Sequence, residues 1–592
     1  LEDQAGFVAR DLDFEFPLQG QTIGPVEQVE DGLLAFTLPL PIAPRGTMMD
    51  LDNDAEQDAG VMVFQIAYWS NTWGGPFLEK RDGTGWSSAY TAAITDADRE
   101  YEISGGTILI WAPDHDQSFP SDFGPDNMLF TDDDPVTSVP AGYSLVDLDA
   151  RPFRIYKERA PELVLLEGEG AVNDYSDMSY VDAFDALFSK ASLEYPFTVE
   201  KNVDWDALYT IYHERAAAAD TDLAFYHTIH DFMLEIPDGH IGGTLDPDDF
   251  YHQAGGSFGM LLQEISDGRV IVTDVILGTP ADSAGIQTGA EIISWDGQPI
   301  TDAIGQIEPY FGPYSTDHHK RVNQLLFLTR YPVGTRVAIE YKNPKSTART
   351  IELMTVVEYD SLIAAIPAWS INEMSLPIEG EILEEYGLGY IQITTFSSDD
   401  NLMARLWEYY LTALNDTETP GLILDLRVNG GGNGGLAADF AGYFFDEEFE
   451  ISHRLYYNEL SGEFELQGLP SRIEPGDFKY EGYIAVLVGP NCASACEGFS
   501  YAVSRSERAI VVGHMPSAGM YGEVGRGQYE LPADISLQFP TGRPETPDGL
   551  LLIENTGVVP DVLVPITYNS ALGSEDAVLN AAIDALLAQI YN

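Results

Sequence analysis

The sequence predicts a multidomain α/β protein with a β-rich N-terminal part, a helical segment, a small strand-rich module and a C-terminal α/β region. Three observations carry that expectation. The 592 residues exceed what one core holds, at roughly 100–200 residues per domain. The hydrophobic period changes along the chain, from short alternating runs to helical spacing and back. After residue 365, apolar runs of strand length alternate with helix-length segments, the layout of a largely buried sheet.

Residues 1–160 read as a β-rich domain. Runs such as Val61–Tyr68 and Thr107–Trp111 are separated by Gly, Pro and Asp clusters, the pattern of a β-sandwich. Within it Asp50, Asp52, Asp54 and Asp58 space carboxylates at alternate positions, as calcium loops do. The Gly and Glu that an EF-hand places later in its loop are missing. An acidic composition favours a solvated turn there, and structural calcium is the alternative. Residues 166–250 turn helical: Trp205, Leu208, Ile211 and Tyr212 recur at helix spacing, as do Leu223, Tyr226, Ile229 and Met233. That segment closes on the turn Pro237-Asp238-Gly239-His240.

Residues 253–357 are compact and strand-rich. Phe258, Gly259, Met260 and Leu261 open a strand, Val270–Val275 forms another, and Gly278-Thr-Pro-Ala-Asp-Ser-Ala-Gly-Ile286 precedes Gly289-Ala-Glu-Ile-Ile-Ser-Trp-Asp-Gly297. This block resembles a PDZ domain of the bacterial protease type. The resemblance implies that Phe258–Leu261 offers backbone amides and a strand edge to a peptide. From 365 to 592, Gly389–Ile393, Leu422–Leu426 and Ile484–Val488 read as strands. Asn401–Leu414, Gly435–Phe444, Ala495–Ser504 and a last stretch from Glu575 to Ile590, capped by Ser574, read as helices.

Composition excludes some functions. With 96 Asp+Glu against 29 Lys+Arg, the formal charge is −67, which repels phosphate backbones and anionic lipid heads. Hydrophobic residues are 44% and aromatics 11%, unlike a disordered chain. No apolar run reaches the ~18 residues of a membrane span. The chain opens on Leu1 without a basic or apolar leader, so any signal peptide has been removed or was never there. Strong acidity with only eight lysines fits a secreted or salt-exposed protein, and the expectation is an extracellular or periplasmic one. Cys492 and Cys496 are the only cysteines, either two small buried residues or one local bridge. They flank Ser494.

Four features carry chemistry. Asn491-Cys-Ala-Ser494-Ala495-Cys-Glu497-Gly498 follows an apolar strand and precedes a helix, which exposes a serine hydroxyl at a strand-to-helix corner. Ser494-x-x-Glu497 is equally a capping box. Asp425-Leu-Arg427-Val-Asn429-Gly-Gly431-Gly432-Asn-Gly-Gly435 runs from a strand into a glycine loop. The loop formally fits a dinucleotide fingerprint, but no second strand ends in an acid at the required distance. Glycines there equally suit an oxyanion hole. His240 is the third feature. The fourth is Glu554-Asn-Thr-Gly-Val-Val-Pro-Asp561, with Glu554 expected at a strand end.

Together and in this order, over about residues 170–590, these features resemble a tail-specific, or C-terminal-processing, serine peptidase. The resemblance implies a crotonase-like catalytic domain, polypeptide substrates and no required cofactor. It assigns Ser494 as nucleophile, with Gly431, Gly432 and Ala495 offering oxyanion amides. One branch of the family uses a lysine base after the serine. Here Met520 stands in its place, and no lysine follows Lys479. The sequence therefore resembles the tricorn-like branch, with His240 as base and Glu554 as its acid. That branch has a serine before the histidine, where this chain has Gly239; Asp238, another hydroxyl or direct contact would then link Glu554 to His240. His514 is the alternative base. A non-catalytic peptide- or ligand-binding protein on the same scaffold is the competing function.

Overall fold

The computed structural model describes residues 102–157, 172–366, 375–467 and 470–591, together with short stretches of the first 101 residues and 166–167. Asp50, Asp52, Asp54 and Asp58 lie outside the described residues. The chain divides into two compact units, residues 1–172 with 457–469, and 173–456 with 470–592.

In the first unit, Met62–Gln65, Glu102–Ala112, Gly142–Asp147 and Arg154–Tyr156 form consecutive strands of an antiparallel sheet. Val63, Ile108, Ile110 and Val146 pack beneath it with Phe119 and Phe153. Alternating residues from neighbouring strands meet on one face, as a pleat of period two requires.

The second unit contains three helices, a strand-rich module and an α/β layer. Helices Tyr180–Glu194, Trp205–Ala218 and Asp222–Leu234 begin at Ser179, Asp204 and Thr221, whose side chains each accept a first-turn amide. The spacing of Leu208 and Tyr212, and of Tyr226, Ile229 and Met233, puts these side chains in one core. Ile211 and Leu223, assigned to the same faces from the sequence, are instead exposed. They sit at the edge of stripes too narrow to include them. The bundle core is completed by Tyr529, Leu537 and Phe539, which belong to a hairpin of Gln528–Leu531 and Ile535–Gln538 far along the chain. Gly242–Gly243 then pairs antiparallel with Leu537 and Gln538. His240 is thereby fixed between the third helix and the C-terminal region.

The strand-rich module orders Met260–Glu264, Val270–Val275, Glu291–Trp295, Arg336–Lys342 and Arg349–Met354 in one antiparallel sheet, with Met260–Glu264 at its edge. Helix Asp317–Phe327 packs against that edge strand.

The α/β layer is a sheet of Ile378–Leu383, Leu388–Ile393, Gly421–Asp425, Tyr483–Val488, Ala509–Gly513 and Val562–Leu563, antiparallel at the first pairing and parallel thereafter. Helices Asp400–Asp416, Gly434–Gly442 and Ala495–Ser504 cover one face around the fully buried Trp407. Helix Ala577–Tyr591 covers the other face. Its first-turn cap is Asp576, which accepts from the Leu579 amide. Ser574, expected there, instead donates its hydroxyl to the Asn569 carbonyl.

Candidate active site

Parallel α/β sheets leave their working crevice at the carboxyl ends of the strands. Here two neighbouring strands end in the two loops singled out from the sequence. Gly421–Asp425 leads to the glycine loop, and Tyr483–Val488 leads to Ser494 at the mouth of helix Ala495–Ser504. The two loops are stitched together, since the Ala493 amide donates to the Asn429 carbonyl.

Ser494 has φ +55° and ψ −121°. That region is costly for a residue with a Cβ and persists only where the surroundings over-determine it. Its surroundings do so. The Ser494 amide donates to Glu497 Oε2 at 3.1 Å and to the Met520 carbonyl at 3.2 Å. Glu497, the expected capping-box acid, does more than cap. It is buried and also accepts from the Ser517 hydroxyl, the Gly519 amide and the Met520 amide. Burial pushes its carboxyl up to about 8, and the hydrogen bonds it accepts oppose that push. Cys492 and Cys496 are joined in a disulfide across the serine, the local-bridge alternative of the sequence.

Gly431 has φ +99°, and a Cβ there would meet Ser494 Cβ at 2.8 Å and the Ala495 nitrogen at 3.2 Å. No other residue fits so close to Ser494. The Gly431 amide itself donates to Asn429 Oδ1 at 2.8 Å. The Gly432 amide and the Ala495 amide, the latter at the first position of its helix, donate to no group among the described residues. Of the three expected oxyanion donors, Gly432 and Ala495 are therefore open and Gly431 is held by Asn429. Asp425 and Arg427 of the same motif are structural. Arg427 grips Asp425 and reaches Asp576 of the last helix.

His240 is buried, with Nδ1 sealed from water and without a hydrogen-bond partner among the described residues. Burial lowers its pKa below the ordinary imidazole value, opposed by Asp238 and Glu523 and assisted by Lys201. Its main chain is held on both sides: the amide donates to Asp238 Oδ1, and the carbonyl accepts from Gln538 Nε2. The neighbouring Gly239 lies against Met520, whose Sδ is 3.0 Å from where a Cβ would stand. Met520 thus touches both the histidine turn and, through its carbonyl, Ser494.

Glu554 occupies a turn rather than a strand end, between Ile553 at φ +64° and Asn555 at φ +66°. Leu552 and Ile553 anchor the turn in the α/β core. Glu554 Oε2 accepts from the Tyr521 and Gly522 amides at 2.6 and 3.1 Å. Oε1 accepts from Lys201 Nζ at 2.6 Å and from the Ser315 hydroxyl at 2.8 Å. Burial raises its pKa, with Asp238 adding to the rise and Lys201 opposing it. The segment Ser517–Glu523 therefore meets Ser494 and Glu497 at one end and Glu554 at the other. Lys201, Ser315 and Tyr195, which donates to Asp238, carried no signal in the sequence. Their partners lie 36 to 353 positions away.

A cavity of about 840 Å³ runs from the edge strand Met260–Glu264 and helix residues Arg321 and Val322 to Gly239, Asn491 and Met520. Met260 and Leu261 line it, while Phe258 is packed in the module core against Trp295 and Tyr331. The Gly259 amide donates to the Ser257 hydroxyl, and its φ of +75° lets the chain pass Thr279. His514 also lines the cavity, with Nδ1 bonded to the Val564 carbonyl at 2.7 Å.

Residues 387–564, which hold the parallel part of the sheet, the glycine loop, Ser494 and Glu554, match peptidase family S41. The chain carries an S41 domain. Residues 249–304 match a PDZ domain. Alongside the S41 domain, two curated relatives are similar to the chain. Carboxyl-terminal-processing peptidase 3, chloroplastic, of Arabidopsis thaliana is 25% identical over half of this chain (50%) and 50% of its own length. Carboxy-terminal processing protease CtpA of Bacillus subtilis (strain 168) is 25% identical over 42% of this chain and 44% of its own length. The chain thus spans about half the length of these relatives. The crystal structure of mature CPAF aligns with a TM-score of 0.53 at 16% identity, over 70% of this chain and 97% of that one. The S41 and PDZ domains therefore sit on a shared multidomain α/β fold. Among the described residues no helix is long and apolar enough to cross a membrane.

Proposed function

We propose that the protein is a serine peptidase that hydrolyses peptide bonds in polypeptides. Its parts are a β-rich domain (1–160), a helical domain (166–250), a PDZ domain (253–357) and a crotonase-like catalytic domain (365–592). The observation that carries the proposal is the forced backbone of Ser494, wedged between Gly431 and Met520 beside the open Gly432 and Ala495 amides. A corner of that kind presents the hydroxyl to substrate and leaves amides facing the developing oxyanion. Ser494 Oγ attacks the carbonyl and His240 takes its proton. The tetrahedral intermediate collapses as His240 returns the proton to the leaving amine, and water repeats the sequence on the acyl-enzyme. His240, kept neutral by burial, is in the form a base needs.

The cavity supports a route by which a peptide added to the edge strand Met260–Glu264 reaches Gly239, Asn491 and Met520, the neighbours of His240 and Ser494. The Cys492–Cys496 disulfide and the acidic composition support an oxidising, extracellular or periplasmic setting. The chemistry asks for no cofactor. Structural calcium at Asp50–Asp58 is proposed only as a stabiliser, checked by whether EDTA lowers the melting temperature. A fluorophosphonate probe tests the main proposal. Wild-type protein is expected to label, Ser494→Ala not at all, and His240→Ala at less than about a hundredth of the wild-type rate, with His514→Ala unaffected. Equal labelling of Ser494→Ala would instead favour a binding protein on this scaffold.

A further inference from the structure

Lys201 is one of only eight lysines in the chain, and its side chain is 2% exposed. An ammonium taken out of water is costly unless its protons are met. Nζ lies 2.6 Å from Glu554 Oε1, 3.2 Å from Asp238 Oδ2, 2.9 Å from the Pro237 carbonyl and 3.2 Å from Ser315 Oγ. Two of those partners are buried carboxylates, one in the histidine turn and one in the turn of Glu554. A carboxylate has about four lone-pair sites. Those of Glu554 are taken by Lys201, Ser315, the Tyr521 amide and the Gly522 amide. Glu554 has no site left for the imidazole. The Ser315 hydroxyl, while donating to Glu554, accepts from the Gly239 amide at 2.9 Å. Asp238 accepts from the His240 amide with one oxygen and from Tyr195 with the other.

We propose that Lys201 and Ser315 are positioning residues for His240. Lys201 is the buried counter-ion shared by the Asp238 and Glu554 side chains beside the imidazole, and Ser315 carries the hold of Glu554 to the backbone of the histidine turn. The charges facing His240 are Asp238 on its own turn, Glu523 from the following segment and Lys201. Behind them stand Tyr195 on Asp238, Arg454 on Glu523 and Glu497 toward Glu554. Removing the ammonium leaves two facing carboxylates uncompensated, and a proton then settles more readily on the imidazole. Removing a carboxylate as well restores the balance.

The proposal rests on the serine-peptidase reading. The full-length protein is compared by fluorophosphonate labelling and by turnover of dye-labelled casein across pH. Failure of the wild type to label would remove the peptidase reading itself, independently of Lys201. Given labelling, Lys201→Met is expected to lower kcat at least tenfold with KM little changed. Its acid limb should move about one unit toward higher pH. Lys201→Met/Glu554→Gln should bring that limb back, and Lys479→Met should leave it in place. A cooperatively folded Lys201→Met with the wild-type limb overturns the counter-ion role. Should that variant not fold, Ser315→Ala decides: reduced kcat at constant KM, recovered in Ser315→Thr, supports the proposal, and unchanged kcat overturns it.

Discussion

His240 shows how a single side chain takes its chemistry from its surroundings. Burial is the largest influence on it and favours the uncharged ring, so its pKa lies below the ordinary value of about 6.5. In the proposed role of base, His240 is competent above that lowered pKa and is lost as pH falls through it. The acid limb of kcat/KM is therefore expected below pH 6.5, and a limb at or above 6.5 in a pH–rate series would count against a buried neutral base. The same group contributes stability that is present above its unfolded pKa and lost as pH falls. Gly431 makes a second residue-scale case. Gly431→Ala adds a methyl in a left-handed backbone position 2.8 Å from Ser494 Cβ. Something must move, and the nearest atoms, the Ala493 carbonyl oxygen at 2.7 Å and Ser494 Cβ, both belong to the serine corner. Labelling should fall by ~10² or more, the scale of losing one oxyanion donor, while far-ultraviolet dichroism stays unchanged.

At the scale of elements, Ser494 and the glycine loop stand at the ends of regular segments, and that is why this part of the site was legible. The strand before the glycine loop, the strand before Ser494 and the helices after both announce themselves by apolar runs and turn residues, within a residue or two of their observed ends. Less legible were the features that depend on what packs beside an element. Glu554 lies in a turn held by its neighbours' core packing, and local pattern alone made it a strand end. Asp576 rather than Ser574 caps the last helix, and the Ser574 hydroxyl goes to the Asn569 carbonyl. The disulfide ties the loop before Ser494 to the first turn of its helix across a separation of 4. So short a loop removes little unfolded-state entropy, and Cys492→Ala/Cys496→Ala is expected to cost about 2 kcal/mol in denaturant melts. A larger loss would mean that the bridge holds more than its own loop.

At the scale of the molecule, the formal charge of −67 repels itself. Self-repulsion destabilises a compact state and is screened by salt. Melting temperature should rise as NaCl goes from about 10 mM to about 1 M, and a flat or falling response would show that the carboxylates are already compensated. The bundle of three helices and the hairpin Gln528–Gln538 share one core although some 300 positions separate them. This long-range packing, more than any local motif, sets His240 among the C-terminal residues it needs.

The sequence by itself determined the class of fold, the serine corner and glycine loop, and the absence of any lysine after Ser494. Those are local properties, written in hydrophobic period, glycine placement and residue type. Tertiary structure alone decided that Gly431 gives its amide to Asn429, that Lys201 lies between Asp238 and Glu554, and that Ser315 joins the Gly239 amide to Glu554. Each depends on which groups, distant in the chain, are buried together, and a buried charge or amide takes whatever partner the packed core brings within reach.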